Sequence, residues 1–336
     1  MSTSRVQALR QALDSRLDWL AKADNAQTDC VRLLHGTVEG APGTTVDRYG
    51  PILLIQTWRD PMEPGEIDAM HAVVDAVIPG LTAVWNNRQS GRRGGTPRDF
   101  ALDHDVELPG GIVGLEEGLV FDVNPRHRGR DPLLFLDFRA GRRHIRNVSA
   151  GKSVLNLFAY TCGMGVAAAV ADADEVVNVD FSASALEVGD RNAGLNGLVI
   201  PSIHGDCLPV MRQFAGLPVS TRRGRKIKYD RMDARQWDIT VLDPPRWARS
   251  AFGAVDVVRD YPTLFKPVVL ATAPGGHILA TNNVASVEWE TWVDILERCA
   301  KKAGRPVGTI ERIPVDEDFP TPDGKSPLKM AWISVP

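Results

Sequence analysis

Three aspartates close three short apolar runs: Asp180 in EVVNVD (175–180), Asp206 in VIPSIHGD (199–206) and Asp243 in WDITVLD (237–243). An ionised carboxylate only accepts hydrogen bonds, so the series suits a ligand rich in hydroxyl and amino donors. Asp180 is placed to accept from two ribose hydroxyls. Asp206 is placed to accept from an adenine amino group, with the Cys207 backbone amide reaching a ring nitrogen. A fourth run, SVLNLF (153–158), leads into Asn156-Leu157-Phe158-Ala159-Tyr160-Thr161-Cys162-Gly163-Met164-Gly165. Glycine there lets a ligand approach the backbone closely. The loop is not G-x-G-x-x-G and lacks the amides that cradle a pyrophosphate, which disfavours a dinucleotide. One aspartate at a strand end is commonly a helix cap or a turn residue. Three in order, the last followed by Pro244-Pro245, are much harder to read that way.

Such residues converge only if the runs are strands of one sheet, because open α/β sheets bind ligands beyond the carboxyl ends of their strands. The alternation from Gly151 onward fits this: strand 153–158, helix 161–171, strand 175–180, a helix capped by Ser182, strand 199–206, strand 237–243, helix 257–271, strand 277–282 and a last helix. GTIERIP and PLKMAWISV suggest a closing antiparallel pair. The expected fold class is α/β, a Rossmann-like domain with a mostly parallel seven-stranded sheet, preceded by a small α+β domain. The expected division is a lone helix over 1–24, a small α+β central or RNA-binding domain over 25–123, a basic connector and helix over 124–150, and a catalytic domain over 151–336. A nucleoside ligand with no pyrophosphate, met by acids after three strands, points to S-adenosylmethionine as cofactor.

The 336 residues are 43% hydrophobic and 24% charged, which excludes a mainly disordered chain. The net charge of −3 excludes nucleic-acid binding by global attraction. The four cysteines, Cys30, Cys162, Cys207 and Cys299, form no C-x-x-C pair, so reduced thiols in a cytoplasm are expected. No metal cluster is visible. The first 24 residues carry Val6, Leu9, Leu13, Leu17 and Leu20 at helical spacing and no signal-peptide core. No run of about 18 apolar residues occurs, so no membrane span is expected.

The runs FLDFR (135–139), VLNLFAYTCG (154–163), VDFS (179–182), N-x-x-L-N-G (192–197), GDC (205–207) and LDPP (242–245) resemble the class I methyltransferases of large-subunit ribosomal RNA. That family includes makers of 5-methylcytidine and of 7-methylguanosine. GTVEGAPGTTVDRYG (36–50) resembles the central domain that precedes its catalytic one. Only one helix precedes that segment, so the family's usual N-terminal PUA-type RNA-binding domain is expected to be missing. The resemblance implies contact of the cofactor with Phe158, Gly163, Asp180, Asp206 and Asp243; Asn156, Tyr160, Thr161, Phe181 and Cys207, at the same strand ends, complete the expected cofactor-binding set. It also implies that Arg139 and Arg143 face the methionine carboxylate or the RNA.

Carbon 5 of a pyrimidine is a poor nucleophile, and enzymes that methylate it first add a cysteine thiolate to carbon 6. The 5-methylcytidine members carry that cysteine just after the fifth strand. Here the place reads Ala280-Thr281-Asn282-Asn283-Val284. The asparagine pair resembles the 7-methylguanosine branch instead. Guanine N7 has an exposed lone pair, so its methylation needs in-line positioning and little acid–base help. Asp243, Pro244, Pro245, Asn282 and Asn283 are the expected catalytic set. A strand-end turn is an equal reading of Asn282-Asn283. Asp-Pro-Pro before an aromatic is also the pattern of amino-group methyltransferases; here Arg246 intervenes before Trp247. Trp247 would either stack on a base or pack under the loop.

Basic residues cluster at Arg88, Arg92, Arg93 and Arg98, at Arg126, His127, Arg128 and Arg130, at Arg139, Arg142, Arg143 and Arg146, and over 222–228. Any one such run is commonly solvated surface. Four flanking one cleft favour phosphate contacts, with Arg92, Arg93, Arg128, Arg139, Arg142, Arg143, Arg246 and Trp247 as the expected RNA-facing set. The expected partner is large-subunit ribosomal RNA. Other readings are a small-molecule or protein methyltransferase, a base amino-group or cytosine C5 enzyme, and a non-catalytic RNA-binding assembly factor. Fold alone does not choose among them.

Overall fold

The structure is a computed structural model that describes residues 4–88, 108, 110–125, 131–219, 229–249 and 252–336. The chain forms two compact units. One comprises Met1–Arg139 with Asp316–Lys325, and the other Ala140–Val315 with Ser326–Pro336. The sequence places this division over the 124–150 connector and leaves 316–325 in the catalytic part. The structure puts that late segment with the first unit.

In the first unit, α1 (Arg5–Asn25) starts at Ser4, whose side chain accepts from the Gln7 amide. It precedes β1 (Cys30–His35), β2 (Thr44–Tyr49), β3 (Ile52–Thr57), α2 (Pro64–Asp75) and β4 (Thr82–Asn87). The sheet runs β1-β2-β3-β4, antiparallel except for the parallel β3–β4 pair. Leu9 and Leu13 bury into its core with Leu33, Leu53, Met70 and Val74. Leu17, expected on the same stripe, stays exposed. A hairpin of β5 (Val113–Glu116) and β6 (Leu119–Asp122) completes the strands.

Arg139 corrects an expectation. Its side chain is buried, not presented to RNA or cofactor. Nη1 and Nη2 donate to the two oxygens of Asp318, both at 3.1 Å. Nη1 also donates to Asp316 Oδ2 at 2.9 Å, Nη2 to the Cys30 carbonyl at 2.7 Å, and Glu116 lies 3.8 Å from Nε. The guanidinium thus anchors the late segment within the first unit. The fork geometry of arginine suits a bidentate carboxylate.

The second unit follows with α3 (Arg139–Val148), β7 (Ser153–Leu157), α4 (Gly163–Val170), β8 (Glu175–Asp180), α5 (Ala183–Leu195), β9 (Ser202–His204) and α6 (Cys207–Phe214). Next come β10 (Trp237–Leu242), β11 (Trp247–Arg249), β12 (Ala254–Asp256), α7 (Tyr261–Ala271), β13 (Thr272–Asn282), α8 (Trp289–Lys302), β14 (Ile310–Ile313) and β15 (Lys329–Val335). The seven-stranded sheet has the order β14-β15-β13-β10-β7-β8-β9. Only β15 runs against its neighbours. β7 lies between β10 and β8, so the winding reverses there and opens a crevice at the strand mouths. β7, β8 and β10 are buried along nearly their whole length, which matches a sheet covered on both faces.

Two departures from the sequence expectation have local causes. Pro274-Gly275-Gly276, read as a turn, lies inside β13, whose pairing with β10 slips between Trp237 and Ile239. The β11–β12 hairpin was not anticipated, because three-residue strands carry no usable periodicity.

Candidate functional site

The crevice is built first from the turn after β7. Phe158, Tyr160 and Cys162 take φ of +58°, +48° and +61°. Such left-handed backbone strains residues with a side chain, and it clusters at functional sites. Gly163 and Gly165, expected to let a ligand approach the backbone, do not make this turn and lie within α4. Gly165 serves packing: a Cβ there would fall 2.2 Å from Asn178 Oδ1. Asn178 in turn accepts from Asn156 Nδ2 at 2.9 Å. Asn156 is therefore buried and spent on its neighbouring strand, which corrects its assignment as a cofactor ligand.

Asp180 pins the turn. Its Oδ2 accepts from the Tyr160 amide at 2.9 Å and its Oδ1 from the Ser182 amide at 2.8 Å. An ionised carboxylate has about four acceptor positions, so two amides leave capacity for further donors. Burial raises the Asp180 carboxyl above its ordinary value, against the pull of these amides. Thr161 is buried, its carbonyl accepting from Asn192 Nδ2 at 2.9 Å. Phe181, just past Asp180, is 57% exposed.

β9 delivers Asp206 next to this group, since the Gly205 amide donates to the Asp180 carbonyl at 2.9 Å. Asp206 Oδ1 caps α6 by accepting from the Leu208 amide at 2.8 Å. Its Oδ2 is buried with no hydrogen-bond partner among the described residues. A buried acceptor left unmade costs about 1–3 kcal/mol, so a donor-bearing ligand would be favoured there. The Cys207 thiol is buried beneath the turn, 3.3 Å from the Phe158 amide. Cys162 is covered too, and a Cβ on Gly189 would fall 2.3 Å from its sulfur. Burial pushes the Cys162 thiol up to about 12 and raises those of Cys30, Cys207 and Cys299.

Across the switch point, Asp243 follows β10, half-buried, beside buried Pro244 and half-buried Pro245. Thr281 Oγ1 donates a hydrogen bond to Asp243 Oδ1. Neither Thr281 nor Lys329 was singled out from sequence. Lys329 is buried and its Nζ donates to the Val284 and Pro327 carbonyls, each at 2.9 Å. A threonine in a strand and a lysine near a terminus carry no motif that would flag them.

The two asparagines separate. Asn282 is buried, with Oδ1 accepting from the Val284 amide at 3.0 Å and Nδ2 donating to the Val257 carbonyl at 3.4 Å. It forms the strand-end turn, which corrects its place in the catalytic set. Asn283 is exposed. Arg246 is exposed and Trp247 is 58% exposed, so the indole is not packed under the loop. Arg142 is buried and Arg143 half-buried, so Arg142 does not offer its charge to an external phosphate. Arg92, Arg93 and Arg128 lie outside the described residues. Among the described residues no group of three His, Cys, Asp or Glu could hold a metal ion, and no helix is long and apolar enough to cross a membrane.

Residues 32–333 match the sequence model of the S-adenosylmethionine-dependent methyltransferases. A ribosomal RNA large subunit methyltransferase of Deinococcus radiodurans is 28% identical, over 90% of this chain and 76% of its own. Ribosomal RNA large subunit methyltransferase I of Cronobacter sakazakii is 28% identical, over 93% and 74%. Among solved structures, the methyltransferase SMU.776 complexed with S-adenosylhomocysteine superposes with a TM-score of 0.78 at 21% identity, covering 100% of this chain and 83% of its own. A methyltransferase from Agrobacterium tumefaciens gives 0.60 at 20% identity, covering 88% and 87%. At these identities the two structures speak for the fold.

Proposed function

The chain belongs to the S-adenosylmethionine-dependent methyltransferase family, and from that footing we propose that it methylates a base of large-subunit ribosomal RNA, at guanine N7, with no covalent enzyme–base bond. The strand mouths fit the cofactor. Asp180 has acceptor capacity for ribose hydroxyls, the orphaned Asp206 Oδ2 for the adenine amino group, and exposed Phe181 offers an apolar face to the ring. The Phe158–Gly163 turn is the wall on which the remainder of the cofactor would lie. When bound, the cofactor supplies a methyl group already activated by its sulfonium charge. Replacing Asp180 with Asn is expected to weaken S-adenosylhomocysteine binding about tenfold to a hundredfold, read by titration calorimetry. Because burial raises this carboxyl, wild-type binding should begin to weaken, as pH falls, above the range of an ordinary aspartate. A pH-independent affinity would remove Asp180 from the site.

The observation that carries the N7 reading is the polar group beyond β13: an exposed Asn283 with no thiol beside it in the chain. All four cysteines are buried, and raised thiols are poor nucleophiles. Guanine N7 loses no proton on methylation, so the protein's task is orientation. Asn283 would hydrogen-bond the base edge, Asp243 would accept from a base amino group, and Trp247 offers a stacking surface. The RNA substrate is supported by the names of the two relatives and by their coverage of this chain. Cys162→Ala and Cys207→Ala should each retain methyl transfer within about threefold, since neither thiol enters the chemistry. Abolished transfer with cofactor binding intact would restore a covalent route. The deciding experiment incubates the protein with a labelled cofactor and ribosomal RNA from a strain lacking it, and maps the product by mass spectrometry. 7-Methylguanosine is the expected product. 5-Methylcytidine, an N-methylated amino group or no transfer would overturn the proposal.

A further inference from the structure

Asp243 and Thr281 stand side by side because Leu242 pairs with Ala280 in the parallel β10–β13 ladder. Thr281 is fully covered and directs its hydroxyl onto Asp243 Oδ1. Its carbonyl is held from behind, accepting from the Tyr261 hydroxyl at 2.9 Å. Tyr261 is itself buried, packed edge-on against Trp292 with ring centroids 5.5 Å apart. A continuous run of contacts therefore leads from the core of the unit to the Asp243 carboxylate at the β10 mouth.

We propose that Thr281 is a positioning residue for Asp243, holding the carboxylate in one rotation as an acceptor for the base. A terminal carboxyl torsion is broad and roughly two-fold, so an unrestrained aspartate would present either oxygen at changing angles. A hydroxyl proton directed at one oxygen removes that freedom. The branched threonine side chain is stiff about its first torsion, and Tyr261 fixes the backbone that carries it. A carboxylate so held acts on orientation, which matters most when two reactants must meet in line. This inference rests on the base-methylating function proposed above.

The test uses the full chain with Thr281→Val, which keeps the branched shape and the carbonyl held by Tyr261 but deletes the donor. Steady-state methyl transfer to large-subunit RNA should show kcat lowered about tenfold to a hundredfold. The KM for RNA and the calorimetric affinity for S-adenosylhomocysteine should change by less than about threefold. Thr281→Ser should restore most of the rate. Wild-type kcat in Thr281→Val, a serine variant as slow as the valine one, or a parallel loss of cofactor affinity would each overturn the positioning role. Wild-type protein that binds S-adenosylhomocysteine but transfers no methyl group to the RNA would overturn the function proposed above, and this inference with it. That result is read from the wild type alone, apart from any variant.

Discussion

Asp243→Ala should lower kcat for methyl transfer about a hundredfold to a thousandfold, with S-adenosylhomocysteine affinity changed by less than about tenfold. The carboxylate stands at the mouth of β10, next to the point where the strand order reverses. Pro244 and Pro245 lock their own φ near −65°, so the backbone that carries it has little freedom to compensate. Truncation removes an acceptor for the base and leaves the buried Thr281 hydroxyl without its partner. An interaction made fully only in the transition state lowers kcat and kcat/KM together, and that pattern is expected here. Asp243→Asn separates shape from charge, because the amide keeps the volume but places a donor where an acceptor stood. If acceptance from a base amino group is the role, the asparagine variant is nearly as slow as the alanine one. Single-turnover assays with saturating cofactor read both, and an alanine variant at the wild-type rate would move the base-orienting group elsewhere.

Arg139→Leu should cost the first unit about 3–5 kcal/mol of stability, the usual penalty for removing one partner of a buried ion cluster. Asp316, Asp318 and Glu116 would lose their shared cation, and the Cys30 carbonyl would lose a donor. The chain has two units, so unfolding need not be two-state; hydrogen exchange in β1 and β2 reports the first unit directly. Arg139→Lys should recover only part of the loss, since an ammonium group cannot span both Asp318 oxygens. The pH dependence has a defined sign. Burial raises the Asp318 carboxyl above its ordinary value, and Arg139 pulls it back down. Without the guanidinium it rises further. A folded-state value above the unfolded one stabilises at low pH and loses that contribution as pH rises through it. The Arg139→Leu deficit should therefore be largest near neutrality and shrink on acidification. A deficit below about 1 kcal/mol, or one that grows on acidification, would show that the cluster does not hold the segment.

Much of the catalytic fold is written in local pattern. The run SVLNLF and the valine-rich β8 have the pattern of strands in a sheet covered on both faces. Ser182 announces α5 and accepts from the Ala185 amide as an N-cap should. Asp180 ends β8, Asp206 stands two residues past β9 and Asp243 directly follows β10, so correct strands bring them to one edge. Residues one apart in a strand point to opposite faces, and the last turn of β13 decides which side chain remains available. Asn282 and Asn283 are indistinguishable in sequence, yet one folds into the turn and the other reaches solvent.

The role of Arg139 is set by contacts of long range. Its partners Asp316 and Asp318 lie 177 and 179 residues further along the chain, and no local pattern encodes a contact closed by the return of a distant segment. The same holds for Thr281, whose neighbour Asp243 belongs to another strand, and for the left-handed turn at Phe158, Tyr160 and Cys162, where non-glycine residues take a conformation that local preference opposes. Periodicity and strand-end chemistry, set by neighbours in the chain, were enough to specify the sheet, its crevice and the acids at its edge. The fate of each polar side chain there depended on burial and on partners remote in sequence, and only the assembled tertiary structure supplies those.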